Sequence, residues 1–197
     1  WEQSFVFSGN DLFSIQDSVA DLTARALVAH VSEEQFARLH EKMTANSEAY
    51  QAYLRGRYHW SRRNLDGFQK ALAYFEQAVS LDPRFAEAHA GIADVHLGLY
   101  DYGYKPATRS VPEARAAVER ALALKPMLSE AFSARASIAF LHDRDWAATE
   151  ADFLRAIELS PRDATPRLRF GWMLSVAGRT EEGLVQLRKA EELDPTS

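Results

Sequence analysis

The stretch Phe75-Glu76-Gln77-Ala78-Val79-Ser80-Leu81-Asp82-Pro83 decides the fold, because its pattern returns three more times along the chain. Each copy has an apolar residue, an Ala three positions later, a Leu three further on and a Pro two after that. The four copies are Phe75/Ala78/Leu81/Pro83, Val118/Ala121/Leu124/Pro126, Phe153/Ala156/Leu159/Pro161 and Leu187/Ala190/Leu193/Pro195. Their prolines stand 43, 35 and 34 residues apart. A period near 34 residues is typical of helix–turn–helix repeats that stack into a solenoid.

Each position of the pattern has a physical reason. The small Ala is expected where the two helices of a repeat, A and B, cross closely. The apolar residue one turn earlier fills the space between neighbouring units. The Pro ends helix B, because it lacks an N–H and has a fixed φ. We therefore predict an all-α fold, a solenoid of stacked helix pairs.

The same pattern sets the predicted domain limits. Residues 47–197 are expected to hold four repeats, at 47–83, 84–126, 127–161 and 162–195.

Residues before the repeats predict two further segments. The β-prone run Phe5-Val6-Phe7 predicts an extended segment over residues 1–10, interpreted as the tail of an upstream domain. An apolar stripe from Leu12 to Ala26 and the capping box Ser32-x-x-Gln35 predict two leading helices within residues 11–46, packed on the array.

The repeats resemble the tetratricopeptide repeat (TPR) family, most clearly in the fourth unit. That unit has Phe170-Gly171 in helix A, Gly178 at the turn, and Gly183, Leu187, Ala190 and Pro195 in or after helix B. The turn glycine of the family is absent from the third unit, where His142-Asp143-Arg144-Asp145-Trp146 stands. The resemblance implies a right-handed superhelix whose A helices line a concave groove that holds a protein or peptide.

A narrower resemblance covers other stretches. Trp1–Phe5, Asp11–Asp17 and Tyr53–Tyr58 are similar to the C-terminal part of large bacterial regulators, in which a winged-helix, cyclase or kinase domain precedes such repeats. This implies that the chain is the repeat portion of a signalling or transcriptional regulator. The output activity would then lie outside these residues.

The repeat alignment predicts which side chains face the groove. The exposed side of the A helices is expected to carry both signs of charge and aromatic area, which suits an extended peptide or a helix. The candidates are Gln51, Arg55, Tyr58, Glu87, Asp94, Glu130, Ser137, Arg169 and Trp172.

An insertion between the helices of the second unit, residues 100–109, carries Tyr100, Tyr102 and Tyr104. These tyrosines are either a recognition element or fold back over the adjacent helices. The capping box Ser110-x-x-Glu113 then predicts the start of helix B.

Composition narrows the function. The 197 residues carry a net charge of −5 and no cysteine, so thiol catalysis and disulfides are excluded and direct nucleic-acid binding is disfavoured. His89 and His96 lie too far apart for the i, i+4 zinc geometry, and there is no Gly-rich phosphate loop. No apolar run is long enough to span a membrane. We expect a cytoplasmic, non-catalytic protein without cofactor or metal.

Two hypotheses follow for the function. The first is a protein- or peptide-interaction module, whose partner is either a separate protein or the parent protein's own effector domain. The alternative is a sensor that binds a small ligand in the groove and controls an upstream effector domain. Leu184 and Leu187 of the last helix are expected to need a cover, so we also expect further repeats downstream or end-to-end self-association.

Overall fold

The structure is a computed structural model that describes residues 43–195. The chain divides into two units, residues 1–47 and 48–197, and the helices below belong to the second apart from their first residue, Ser47. The predicted extended tail of residues 1–10 and the two predicted leading helices lie outside the described residues.

Eight α-helices and no strand occur between residues 43 and 195. They are α1 (Ser47–Trp60), α2 (Leu65–Leu81), α3 (Ala86–Asp101), α4 (Ala107–Leu124), α5 (Ser129–Ile138), α6 (Trp146–Leu159), α7 (Ala164–Val176) and α8 (Thr180–Leu193). Odd-numbered helices are the A helices and even-numbered ones the B helices, so they form four pairs. The all-α fold predicted from the repeat is confirmed.

The B helices end as the repeated pattern predicts. Each stops at the recurrent Leu, two residues before the Pro, and the next backbone N–H donates to the carbonyl of the recurrent Ala. These alanines are all buried in the array. The recurrent Ala is therefore small enough to be buried in the array, and its carbonyl accepts the hydrogen bond that caps the end of the B helix.

Phe75 shows how the apolar position joins one pair to the next. It is fully buried between Gly56 of α1 and Gly91 of α3. A Cβ added at Gly56 or Gly91 would lie 2.6 or 2.8 Å from the ring. The Tyr53 ring lies 5.7 Å from Phe75 and 5.0 Å from Phe85. The B helix of the first pair is thus packed against both neighbouring A helices.

Each turn between an A and a B helix contains one residue with left-handed backbone. These residues are Arg63 (φ 51°), Gly103 (φ 72°), Arg144 (φ 59°) and Gly178 (φ 83°). The third turn lacks the family glycine and is built differently: a π-helical turn, Ala139–Asp143, extends α5, and Arg144 then reverses the chain. The left-handed region costs a residue with a Cβ about 1–2 kcal/mol.

The insertion in the second pair is shorter than the sequence predicts. Helix α3 continues to Asp101, and α4 begins at Ala107 after the extended Pro106. The predicted start of this helix at Ser110 is wrong, because Ser110 is buried inside α4 and Pro112 lies in the helix interior. The loop is therefore limited to residues 102–106.

The A helices form a continuous layer. Helix α3 packs on α5, and α5 packs on α7. The B helices α4, α6 and α8 pack on the A helix of their own pair, and α2, α4 and α6 pack on the A helix that follows. This arrangement aligns one face of successive A helices, and that face carries the groove.

Candidate functional site

A groove of about 620 Å³ lies over the A helices and the first three turns between A and B helices. It is wide enough for several side chains of a partner, and it has two chemically different ends. The ionic end contains Arg63, Asp94, Asp101 and Arg169, and the apolar end contains Leu141, Leu168, Trp172 and Met173.

An ion pair crosses the ionic end. Nη1 of Arg169 on α7 donates to Oδ1 of Asp94 on α3 at 2.8 Å, and it lies 3.5 Å from Oγ of Ser133 on α5. Both charged side chains are less than one-fifth exposed. Three A helices therefore meet at one charged contact, which holds the floor of the groove together.

Trp60 forms a platform beside this pair. It ends α1 and is 8% exposed. The guanidinium carbon of Arg63 lies 3.8 Å from its ring centroid, and that of Arg169 lies 5.8 Å away. Cation–π contacts of this kind contribute about 0.5–1 kcal/mol at exposed positions and more where water is excluded. The guanidinium of Arg57 is also close, at 6.0 Å, so three cationic groups surround one indole.

The groove changes the acidity of two of its charged groups. Asp101 stays exposed at the rim, but the surrounding protein removes water from its carboxyl and raises its pKa to about 6, although Arg169 and Arg63 both lower it. Desolvation and the charge of Arg169 lower the pKa of Arg63. In both cases the largest cause is the water that the surrounding protein displaces from the charged group.

Two further acidic residues lie in narrow clefts next to the groove. The Glu87 side chain is 3% exposed and pairs with Nζ of Lys125 at 3.1 Å, which joins α3 to the end of α4. Burial raises the pKa of Glu130 on α5. Both residues are largely enclosed, so they stabilise the helix layer more than they face an open site.

The apolar end is open to solvent. Leu168 and Trp172 project from α7 with 43% and 50% of their surface exposed. The Trp172 ring packs on the edge of Phe140 at 6.0 Å, and Phe140 also contacts Trp146 at 5.0 Å. Large exposed apolar side chains on a rigid support are typical of a surface that binds a partner.

The structure brings many of the predicted site residues together. Asp94, Ser137, Arg169 and Trp172 line the same groove, although Ser137 is buried and donates to the carbonyl of its own helix at Ser133. Glu87 and Glu130 lie in the adjoining clefts.

Tyr100 and Tyr102 of the insertion also line the groove. The rings of Tyr102 and Tyr104 stack at 6.4 Å, and both pack against Phe68 of α2. The loop therefore folds back on the helices and, through Tyr102, also contributes to the groove wall.

The structure does not bring Gln51, Arg55 and Tyr58 to the groove. Arg55 lies 5.9 Å from the Tyr74 ring of α2, and Tyr58 packs against His59. The α1 residues that reach the groove and its clefts are Tyr53, Arg57 and Trp60. These stand two residues further along the same i, i+4, i+7 pattern, and two residues rotate a helix by about 200°.

Sequence reasoning missed seven groove residues: the apolar Leu97, Leu141, Leu168 and Met173, and at or beside the ionic end Trp60, Arg63 and Asp101. Asp101 had a usable signal, because it follows Glu87 and Asp94 at seven-residue steps and therefore shares their helix face. Trp60 and Arg63 had none, since the first reads as a core residue and the second as a solvated turn residue.

Residues 43–195 contain no cluster of His, Cys, Asp and Glu side chains suited to a metal ion. None of the helices in this part of the chain has the length and apolar character to cross a membrane.

Helix pairs with buried alanines, B helices wedged between A helices, and a groove over the A-helix layer define a TPR superhelix. The solved structure of a thermophilic TPR protein from Thermus thermophilus is similar, with a TM-score of 0.62 and 20% identity over 95% of this chain and 88% of that one. This likeness establishes the fold. No protein-family model matches the chain.

The curated relatives that the chain matches are transcriptional regulators. The chain is similar to the transcriptional regulator HilA of Salmonella typhimurium and to that of Salmonella typhi, at 24% identity over 183 residues in each case. The match includes 92% of this chain but 32% of each relative. The chain thus spans about a third of the length of the curated relatives it matches.

Proposed function

We propose that this chain is the repeat portion of a bacterial regulator and that its groove binds a protein or peptide without catalysis. The bound segment belongs to a separate protein or to the regulator's own effector domain. Similarity to HilA over most of the chain supports the regulatory role. The proposed location is the cytoplasm, where a transcriptional regulator acts.

The observation that carries the binding proposal is the pairing of an ionic end with an exposed apolar end in one groove. A peptide chain presents polar and apolar side chains at fixed intervals, so it can contact Arg63 or Asp101 and Trp172 together. Trp, Tyr and Arg are the residues that most often dominate binding energy at protein interfaces, and the groove contains all three.

The alternative small-ligand sensor also has one observation in its favour. The groove volume of about 620 Å³ falls in the range of pockets that enclose small molecules. Its open apolar end favours the peptide, because a small ligand there would leave much of its surface in water.

Selection of random twelve-residue peptides displayed on phage tests the binding proposal, with the chain as bait. Binding of the selected peptides is then measured by calorimetry on two matched variants. Trp172→Ala removes a groove residue, whereas Trp146→Ala removes a tryptophan of similar exposure, 47% against 50%, that contacts Phe140 but does not line the groove.

We expect Trp172→Ala to weaken binding about tenfold or more, and Trp146→Ala to leave it nearly unchanged. Failure to select any peptide, or equal losses in both variants, would contradict the proposal. A metabolite that raises Tm for the wild type and not for Trp172→Ala, with no peptide selected, would establish the sensor instead.

The regulatory role has its own test in the parent protein. Trp172→Ala in the full-length parent should change transcription from a reporter promoter at unchanged protein level, and Trp146→Ala should not. Identical reporter output from both variants and the wild type would argue against a regulatory role for the groove.

A further inference from the structure

This inference rests on the proposed function and concerns the chemistry of the bound segment. The ionic end of the groove has more hydrogen-bond donors than acceptors. Within residues 43–195, the Arg63 guanidinium has no hydrogen-bond acceptor and no ion-pair partner, and its contact is the face of Trp60. A guanidinium has five N–H donors in a planar fork, so its capacity is largely unused.

Trp60 adds a second unused donor. Its indole N–H is buried and meets no acceptor anywhere in the described part of the chain, although the residue lines the groove. Buried polar groups are nearly always hydrogen-bonded, so an unpaired buried N–H calls for an explanation. We explain it by a hydrogen-bond acceptor on the bound partner, which pairs with this N–H when the groove is occupied. This acceptor reaches the N–H along the plane of the ring once the side chains at the ring edge move aside, because Arg63 lies over the face of the ring, 3.8 Å from its centroid.

Arg169 adds to the excess of hydrogen-bond donors over acceptors at the ionic end. Its Nη1 donates to Asp94, and its remaining N–H groups have no acceptor among the described residues. Its charge lies near that of Arg63, and both guanidinium groups approach the same indole. Like charges held together favour the entry of a negative group between or beside them, and Asp94 and Asp101 offset part of this positive charge.

The left-handed backbone conformation of Arg63 also supports a binding role for this residue. The second and fourth turns use glycine for their left-handed residue, which adopts this conformation without strain, whereas Arg63 adopts it at a cost. In exchange, the side chain lies over Trp60 at the mouth of the ionic end. Strain of this kind is often found at binding sites.

One carboxylate in the groove remains for the partner's own donors. Asp94 is engaged by Arg169, while Asp101 has no ion pair or side-chain hydrogen bond within residues 43–195. Asp101 can accept a backbone N–H of the bound segment. A basic segment fits less well, because Arg63 and Arg169 would repel its cation. Asp101 would be the groove carboxylate left to pair with that cation.

We propose that the groove binds its peptide through an Asp or Glu side chain, whose carboxylate accepts hydrogen bonds from Arg63 and from the uncovered indole N–H of Trp60. Arg63 turns its unused N–H groups toward the carboxylate, and the side chains at the edge of the Trp60 ring move aside. The apolar end of the groove holds a neighbouring side chain of the same peptide against Trp172.

The peptides selected above provide the probe. We expect them to share an Asp or Glu at a fixed position, and we compare one such peptide with its Asp→Asn or Glu→Gln form. The protein variants are Arg63→Gln and the matched control Arg62→Gln, which removes the same charge from the same turn at an exposed residue that does not line the groove. Thermal unfolding of each variant verifies that it is folded.

Neutralising the peptide should weaken binding about tenfold on the wild type and on Arg62→Gln, and less than about twofold on Arg63→Gln. Arg63→Lys, which keeps the charge but lacks the planar fork, should fall between these results. Selected peptides without a shared acidic position, peptides enriched in Lys or Arg, or an equal loss on Arg63→Gln would overturn this inference. None of these three outcomes would contradict the proposed function. That proposal is contradicted by a different result, equal losses of peptide binding in Trp172→Ala and Trp146→Ala.

Discussion

At the scale of the residue, Arg144 occupies a backbone conformation that glycine adopts in two other turns of this molecule. Arg144→Gly should raise the free energy of unfolding by about 0.5–1 kcal/mol, because the relief of left-handed strain exceeds the entropy cost of a glycine. Urea denaturation measures the change. The reverse substitution Gly178→Ala is the control and should destabilise the protein; a loss of stability in Arg144→Gly would show that its turn is not strained.

Asp101 gives a second prediction at this scale. Its pKa, about 6, should be visible in the pH titration of its carboxyl carbon by NMR. Removing the cation in Arg169→Gln should raise that pKa further, because Arg169 favours the ionised carboxylate. If the pKa of Asp101 is near 4 and does not change in Arg169→Gln, the Asp101 carboxyl is well hydrated.

The sequence predicts single residues unevenly. Asp94, Arg169 and Trp172 were placed in the groove because they lie on A helices at positions that the repeat aligns. Trp60 and Arg63 were not, because their role depends on a turn geometry and a ring contact that no spacing in the sequence records.

At the scale of the helix, close packing explains why Gly91 is a glycine. Alanine normally stabilises a helix interior by about 0.5–1 kcal/mol relative to glycine. Here its Cβ would meet the Phe75 ring at 2.8 Å, so Gly91→Ala should destabilise the protein by about 1–3 kcal/mol.

Phe75→Leu gives the smaller side chain needed to test that explanation. The destabilisation by Gly91→Ala should be smaller in the Phe75→Leu background, which a double-mutant cycle of urea midpoints measures. A stabilising Gly91→Ala would contradict the packing described for α2 and α3.

His96 makes the stability of the α3–α4 pair depend on pH. Burial, and then the charge of Lys105, lower its pKa below the ordinary value of 6.5, while Glu113 raises it. The neutral ring is therefore favoured in the folded state, and its contribution is present above pH 6.5 and lost as the pH falls through the folded pKa.

We expect the wild type to lose more stability than His96→Gln when the pH is lowered from 7 to 5. Urea denaturation at several pH values gives this difference, with His142→Gln, at an exposed histidine, as the control. Parallel curves for the wild type and His96→Gln would show that protonation of His96 costs the fold nothing.

Helix ends were predicted better than helix faces. The Leu-x-Pro spacing places the ends of α2, α4, α6 and α8, because a Pro has a local effect on the backbone. The groove-facing side of α1 was misplaced, because it depends on how Phe75 packs against Gly56, and a shift of two residues turns the helix to nearly its opposite side.

At the scale of the whole molecule, the groove is a product of stacking. The ion pair between Asp94 and Arg169 joins residues 75 positions apart in the sequence, across a helix layer of three pairs. The repeat predicted stacked helix pairs, and the resemblance to TPR proteins implied a concave groove along the A helices. Neither indicated which charges meet across the groove, since that depends on how the pairs stack in three dimensions.

The central claim is that a peptide binds in the groove beside Trp60 and Trp172. The most direct measurement is the 1H–15N NMR signal of the tryptophan indole N–H groups during titration with a selected peptide. We predict saturable shifts of the Trp60 and Trp172 signals, with Trp60 moving downfield as its N–H gains an acceptor. A saturating peptide that leaves both signals in place would contradict the account.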